Sequence, residues 1–196
     1  MRSPTVIALA LVALAALGVA AYSLGGMARG APELHGTALE HPPTVSDVSL
    51  VAPGGEQVQL GDYRGKHLLV FFGFTNCPDI CPMTMARLSR IYEALGTPED
   101  LQVVMVTVDP ANDTPEIIHD YAQGFHPAFD GLGGPQEALD AAAARFYIGH
   151  GQGGQGEIIH GSQVLLVDPQ GRLSRVYNDE MQMYLEADLA TLLSRS

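Results

Sequence analysis

Two cysteines, Cys77 and Cys81, make up the whole thiol complement of this chain. They lie within the stretch Gly73-Phe74-Thr75-Asn76-Cys77-Pro78-Asp79-Ile80-Cys81-Pro82. Residues four apart on a helix share a face, with Cα atoms about 6 Å apart. That separation is within the reach of a disulfide, and it also lets two thiolates grip one soft metal ion. A redox dithiol and a metal chelate are both open on this geometry. Upstream, the apolar run Leu68 to Phe72 predicts a central strand covered on both faces. Downstream the period changes, and Met85, Leu88, Tyr92 and Leu95 mark one face of a helix, with Pro78 acceptable in its first turn. The thiols are therefore expected near a helix N-terminus. Free N–H groups and the positive end of the helix dipole favour thiolate there, so both sulfurs are expected to be more acidic than a free cysteine.

Other elements must position this junction. Val45, Val48 and Leu50, the turn Pro53-Gly54-Gly55, and Val58-Gln59-Leu60 predict an opening hairpin. Leu101 to Val108 is a second β-branched strand, and strand, helix, strand at this spacing implies a crossover and parallel pairing. Thr114-Pro115-Glu116 reads as the start of a helix that ends near Gly124. A short strand is expected over Phe129 to Leu132. Pro135 then opens an alanine-rich helix with Leu139, Ala143 and Phe146 on its inner face. The glycine-rich stretch Gly149 to Gly156 is not a nucleotide loop, because no Lys-Ser/Thr follows it and no helix begins there. Val164 to Val167, the turn Asp168-Pro169-Gln170-Gly171, and Leu173 to Tyr177 predict two antiparallel strands. A closing helix follows, with Leu185, Leu189, Leu192 and Leu193 on one face. This order predicts an α/β thioredoxin-like fold, a central mixed sheet flanked by helices with an N-terminal β-hairpin.

The 196 residues fit one domain with an N-terminal appendage. Thr5 to Leu24 carries no charge and is long enough to span a bilayer as one transmembrane helix. Residues 1–26 are expected to be a membrane anchor or signal segment, 27–43 a linker, and 44–196 the folded domain. His35 and His41 are expected to be solvated linker residues. With a formal net charge of −12 and no basic patch, nucleic acid is excluded as a partner.

The stretch Phe72 to Pro82 resembles the signature of the Sco/SenC family, copper-handling proteins of thioredoxin fold. Val108-Asp109-Pro110 through Asp113-Thr114-Pro115, His160, and Leu166-Val167-Asp168-Pro169-Gln170-Gly171 agree with it, over roughly residues 35 to 195. The resemblance implies a membrane-tethered protein whose soluble domain faces the periplasm or its equivalent. Such proteins bind copper through two cysteines and a distant histidine. They assist assembly of the binuclear copper centre of cytochrome c oxidase subunit II. Carried over, the ligands are Cys77, Cys81 and His160. The implied partners are oxidase subunit II, a periplasmic copper donor or thiol-disulfide reductant, and the membrane through the N-terminal helix. Phe74 stands where the family usually has tyrosine, and Ile159 and Gly161 flank His160 where aspartate and a hydroxyl residue are common.

Two thiolates and an imidazole suit Cu(I), and they can also hold Cu(II). A structural zinc site normally needs four protein ligands, and no second cysteine pair exists. The competing class is an enzyme, a thiol-disulfide oxidoreductase in which Cys77 attacks and Cys81 resolves. A purely structural bridge closing so short a loop would stabilise little. Among the remaining candidates, Met85 fits the inner helix stripe while Met83 lies beside the thiols outside it. His67, His119 and His126 read as packing or surface residues, His150 as solvated, and Asp109 and Asp113 as capping and turn residues.

Overall fold

The computed structural model describes residues 34–149, 151–152, 158–159 and 161–195. The expected anchor at 1–26, the first part of the linker, His150 and His160 lie outside the described residues. Among the described residues, no helix is long and apolar enough to cross a membrane.

In chain order the elements are β1 (Thr37–Ala38), β2 (Ser49–Val51), β3 (Gln57–Gln59), β4 (His67–Gly73), α1 (Ile80–Ala94), β5 (Leu101–Thr107) and α2 (Pro115–Gln123). They continue with β6 (Asp130–Leu132), α3 (Gln136–Arg145), β7 (Gly151–Gln152), β8 (Ile158–Ile159), β9 (Val164–Val167), β10 (Leu173–Tyr177) and α4 (Leu185–Leu193). The main sheet has the order β1-β10-β9-β4-β5-β6. β4, β5 and β6 run parallel, as the crossovers through α1 and α2 require, while β9 pairs antiparallel with β4 on its other side. β2 and β3 form the expected hairpin.

Every residue of β4 and β5 is buried, which is why both read as apolar runs without alternation. Their side chains still divide with period two. Leu68, Val70 and Phe72 join Leu50, Leu60, Leu139 and Phe146 on one face. Leu69 and Phe71 join Cys81, Met85, Leu88, Ile118, Leu185 and Leu189 on the other. The hairpin and α3 cover the first face, and α1, α2 and α4 cover the second. The cysteines thus belong to a packed core layer. α2 begins as its sequence predicts, with the Ile117 N–H donating to Thr114 Oγ1 at 3.3 Å and Pro115 in the first turn.

Three local expectations are corrected. Val45 to Val48 is a turn, closed by the Val48 N–H on the Val45 carbonyl at 3.1 Å, so the first hairpin strand is only Ser49–Val51. α1 starts at Ile80, because Asp79 is held at φ −141° and ψ −73°, outside the helical region. Pro78 is therefore in the approach loop, and Pro82 occupies the first turn. His35 is not a free linker residue. Its N–H and its Nδ1 meet the two carboxylate oxygens of Asp188 on α4 at 2.7 and 2.8 Å, and its ring stacks on Tyr184 with centroids 4.1 Å apart. Two residues on, β1 pairs with the edge of β10.

Candidate dithiol site

β4 delivers the chain to the site and Gly73 makes the delivery fit. A Cβ on Gly73 would lie 2.9 Å from Cys81 Sγ, 2.9 Å from Met105 Cε and 2.8 Å from Phe71 Cε1. The strand backbone therefore presses directly against the inner sulfur, and only glycine permits it. A loop follows, closed by the Cys77 N–H on the Phe74 carbonyl at 3.3 Å. The Cys81 N–H then donates to Cys77 Sγ at 3.4 Å. No side chain of Asp79 caps the helix. The Cys77 sulfur takes that place, meeting the N–H groups of Asp79, Ile80 and Cys81 together with the Cys81 thiol.

The two thiols are consequently unequal. Burial acts to raise the acid strength threshold of Cys77, but those donors outweigh it and hold its pKa below the ordinary thiol value. For Cys81, burial dominates. The Phe74 N–H opposes it, while donation to Cys77, the charge of the Cys77 thiolate and, least, that of Asp113 reinforce it, and the thiol is pushed up to about 12. The expectation that both sulfurs are acidic thus holds for Cys77 and fails for Cys81. Cys81 is fully enclosed by the core layer, whereas Cys77 is 8 % exposed at its edge. No disulfide joins the two sulfurs.

Asp113 holds this loop from behind. Its buried carboxylate accepts from the Thr75 N–H at 3.0 Å, from the Thr75 hydroxyl, and from the Thr107 hydroxyl at 2.7 Å. Thr107 Oγ1 in turn accepts from the Asp109 N–H at 3.0 Å. Asp113 is therefore more than the turn residue its sequence suggested. Thr75 and Thr107 gave one signal in the sequence: Thr107 is the lone hydroxyl in an otherwise apolar strand end.

The structure brings Cys77 and Cys81 together, and His160 lies outside the described residues. Among the described residues, no group of three or more His, Cys, Asp or Glu side chains could hold a metal ion. Met85 is buried in the core, while Met83 is 56 % exposed. The other histidines with described side chains are occupied elsewhere or remote. His119 Nδ1 accepts from the Gly131 N–H, His126 Nδ1 from the Ala128 N–H, and His67 is buried at the opposite end of β4. Two sulfurs of a soft donor set, one primed as thiolate and one as thiol, can bind a soft cation or form a disulfide.

A family profile described as SCO1/SenC matches residues 36–193. A SCO2-like protein of Rickettsia felis is 32% identical over 141 residues, covering 68% of this chain and 69% of that protein. The solution structure of apo Sco1 from Thermus thermophilus is 36% identical with a TM-score of 0.73, over 84% of this chain and 99% of that one. ScoI of Bradyrhizobium japonicum, solved with copper bound, is 26% identical with a TM-score of 0.64, over 81% and 99% of the respective chains. BsSco, a member of the Sco family of cytochrome c oxidase assembly proteins in which a disulfide switch is identified, is 25% identical with a TM-score of 0.64, over 80% and 96%.

Proposed function

The chain belongs to the SCO1/SenC family, and from that premise we propose that it is a membrane-tethered copper chaperone for cytochrome c oxidase, with Cys77, Cys81 and His160 as the copper ligands. The observation that carries this reading is the contact between an acidic Cys77 at the edge of the core layer and a fully enclosed Cys81 thiol. Copper is cargo in this scheme. Capture of Cu(I) by both sulfurs releases the Cys81 proton, so two S–Cu bonds replace one S–H bond. The high proton affinity of Cys81 works in reverse during delivery. A proton returned to Cys81 breaks one S–Cu bond, leaving the ion on Cys77 and the histidine and open to a partner's ligand. The recipient is the binuclear copper centre of oxidase subunit II. Residues 1–26 anchor the chain in the membrane with the domain on the periplasmic side, where a copper donor or thiol reductant serves it.

The unequal thiols also favour a second reading, a thiol-disulfide oxidoreductase acting on partner cysteines. The Cys77 thiolate attacks a partner disulfide, one partner thiol leaves, and Cys81 resolves the mixed disulfide to release the second. Anaerobic Cu(I) titration of the reduced full chain in detergent, against a competing chelator, separates the two. One tightly bound copper, weakened in Cys77→Ser, Cys81→Ser and His160→Ala, supports the chaperone. Absence of tight binding by the wild-type dithiol rejects it in favour of the oxidoreductase. Binding unaffected by His160→Ala removes His160 from the ligand set.

A further inference from the structure

The Asp113 carboxylate is bonded to the loop that leads from β4 to the dithiol and to the end of β5. It is 1 % exposed, and among the described residues its side chain meets only neutral groups, the Thr75 N–H and the hydroxyls of Thr75 and Thr107. All three donate, which suits a carboxylate. Thr107 is the direct partner of Gly73 across the parallel β4–β5 pair, a spacing of about 4.8 Å. The Gly73 backbone in turn lies against Cys81 Sγ, which is 2.9 Å from the position a Cβ would take there. One hydrogen bond, one strand spacing and one packing contact thus connect the carboxylate to the inner sulfur. Asp79, the other carboxylate beside the cysteines in sequence, is exposed and screened by solvent.

A fixed negative charge in a dry layer opposes the addition of further negative charge nearby. Copper held by two thiolates gains one unit of negative charge when Cu(II) takes up an electron to become Cu(I). We propose that Asp113 sets the oxidation-state preference of copper held by Cys77 and Cys81, favouring Cu(II) relative to Cu(I). This rests on the reading of the two cysteines as copper ligands.

The test is the Cu(II)/Cu(I) midpoint potential of the full-length, copper-loaded protein, measured anaerobically with one-electron mediators and read by the Cu(II) paramagnetic signal. Asp113→Asn keeps the shape and removes the charge. It is expected to shift the balance about tenfold toward Cu(I), a rise of about 59 mV for a one-electron couple. Thr107→Val keeps the charge but deletes one donor to it, so the potential is expected to fall. This second variant carries the test if Asp113→Asn fails to fold. An unchanged or lowered potential in a folded Asp113→Asn protein overturns the inference, as does an unchanged or raised one in Thr107→Val. So does loss of copper by a folded Asp113→Asn protein, which would make Asp113 a support of the loop alone. Failure of the wild-type protein to bind copper overturns the ligand reading itself, and the inference with it.

Discussion

The Cys81 backbone N–H points at the Cys77 sulfur across 3.4 Å, so one cysteine caps the helical turn that carries the other. The arrangement is local in sequence but unequal in environment. Cys77 collects the free N–H groups of the helix start, while Cys81 sits one turn deeper, under the backbone of Gly73. A helix N-terminus therefore acidifies the thiol outside it and not the thiol inside it.

This inequality should be visible in alkylation. In the reduced protein, iodoacetamide is expected to label Cys77 with a pH midpoint below the ordinary thiol value of 9.0. Cys81 is expected to stay unlabelled until the pH approaches about 12. The sign for stability follows. The folded state keeps the Cys81 proton that the unfolded chain loses near 9.0, so this contribution is complete below 9.0 and declines as pH rises toward about 12. Peptide mass spectrometry after brief labelling at stepped pH checks the first point. Equal labelling of both cysteines near neutrality would reject the assignment of roles.

Gly73→Ala places a methyl group where Cys81 Sγ, Met105 Cε and Phe71 Cε1 already sit within 2.9 Å. None of these groups is at the surface, so relief requires movement of the core layer. Overpacking of this kind costs about 1–3 kcal/mol, measurable as a lowered urea midpoint. The same displacement should disturb the inner sulfur, so the Cys81 labelling threshold is expected to move. A variant with wild-type stability and labelling would show that the strand does not press on the thiol.

The sequence showed the features that depend on near neighbours. The runs over Leu68 to Phe72 and Leu101 to Val108 became the paired central strands, and Thr114-Pro115 capped α2 as written. The site was legible as far as its two cysteines and their place between β4 and α1. The split in their acidity was not, because it depends on burial by Met85, Leu88 and Gly73, which the spacing of Cys77 and Cys81 does not report. Asp113 looked like a turn residue because its partners, Thr75 and Thr107, come from two other segments. His35 looked solvated for the same reason, since its partner Asp188 lies 153 residues away.

Asp188 gives the last prediction. Its carboxylate accepts from the His35 N–H at 2.7 Å, the Gly36 N–H at 3.3 Å and the Tyr177 hydroxyl at 2.8 Å, besides pairing with His35 Nδ1. Asp188→Ala removes the acceptor and leaves the Tyr177 hydroxyl buried without it, a loss of about 1–3 kcal/mol. Hydrogen exchange at Gly36 to Ala38 should accelerate, because among the described residues β1 pairs with β10 alone and the carboxylate fastens its approach. The acid side carries a second signature. Burial raises the Asp188 pKa, but the His35 and Tyr177 side chains and the backbone donors prevail, so the net shift is below the ordinary 3.8. The unfolded chain therefore takes up this proton at higher pH than the folded one. The resulting stability is complete above 3.8 and is lost as pH falls through the depressed folded value. Asp188→Asn should lower stability at neutral pH and flatten its decline on acidification. Parallel acid profiles for wild type and variant would mean that the carboxylate does not hold the N-terminal strand.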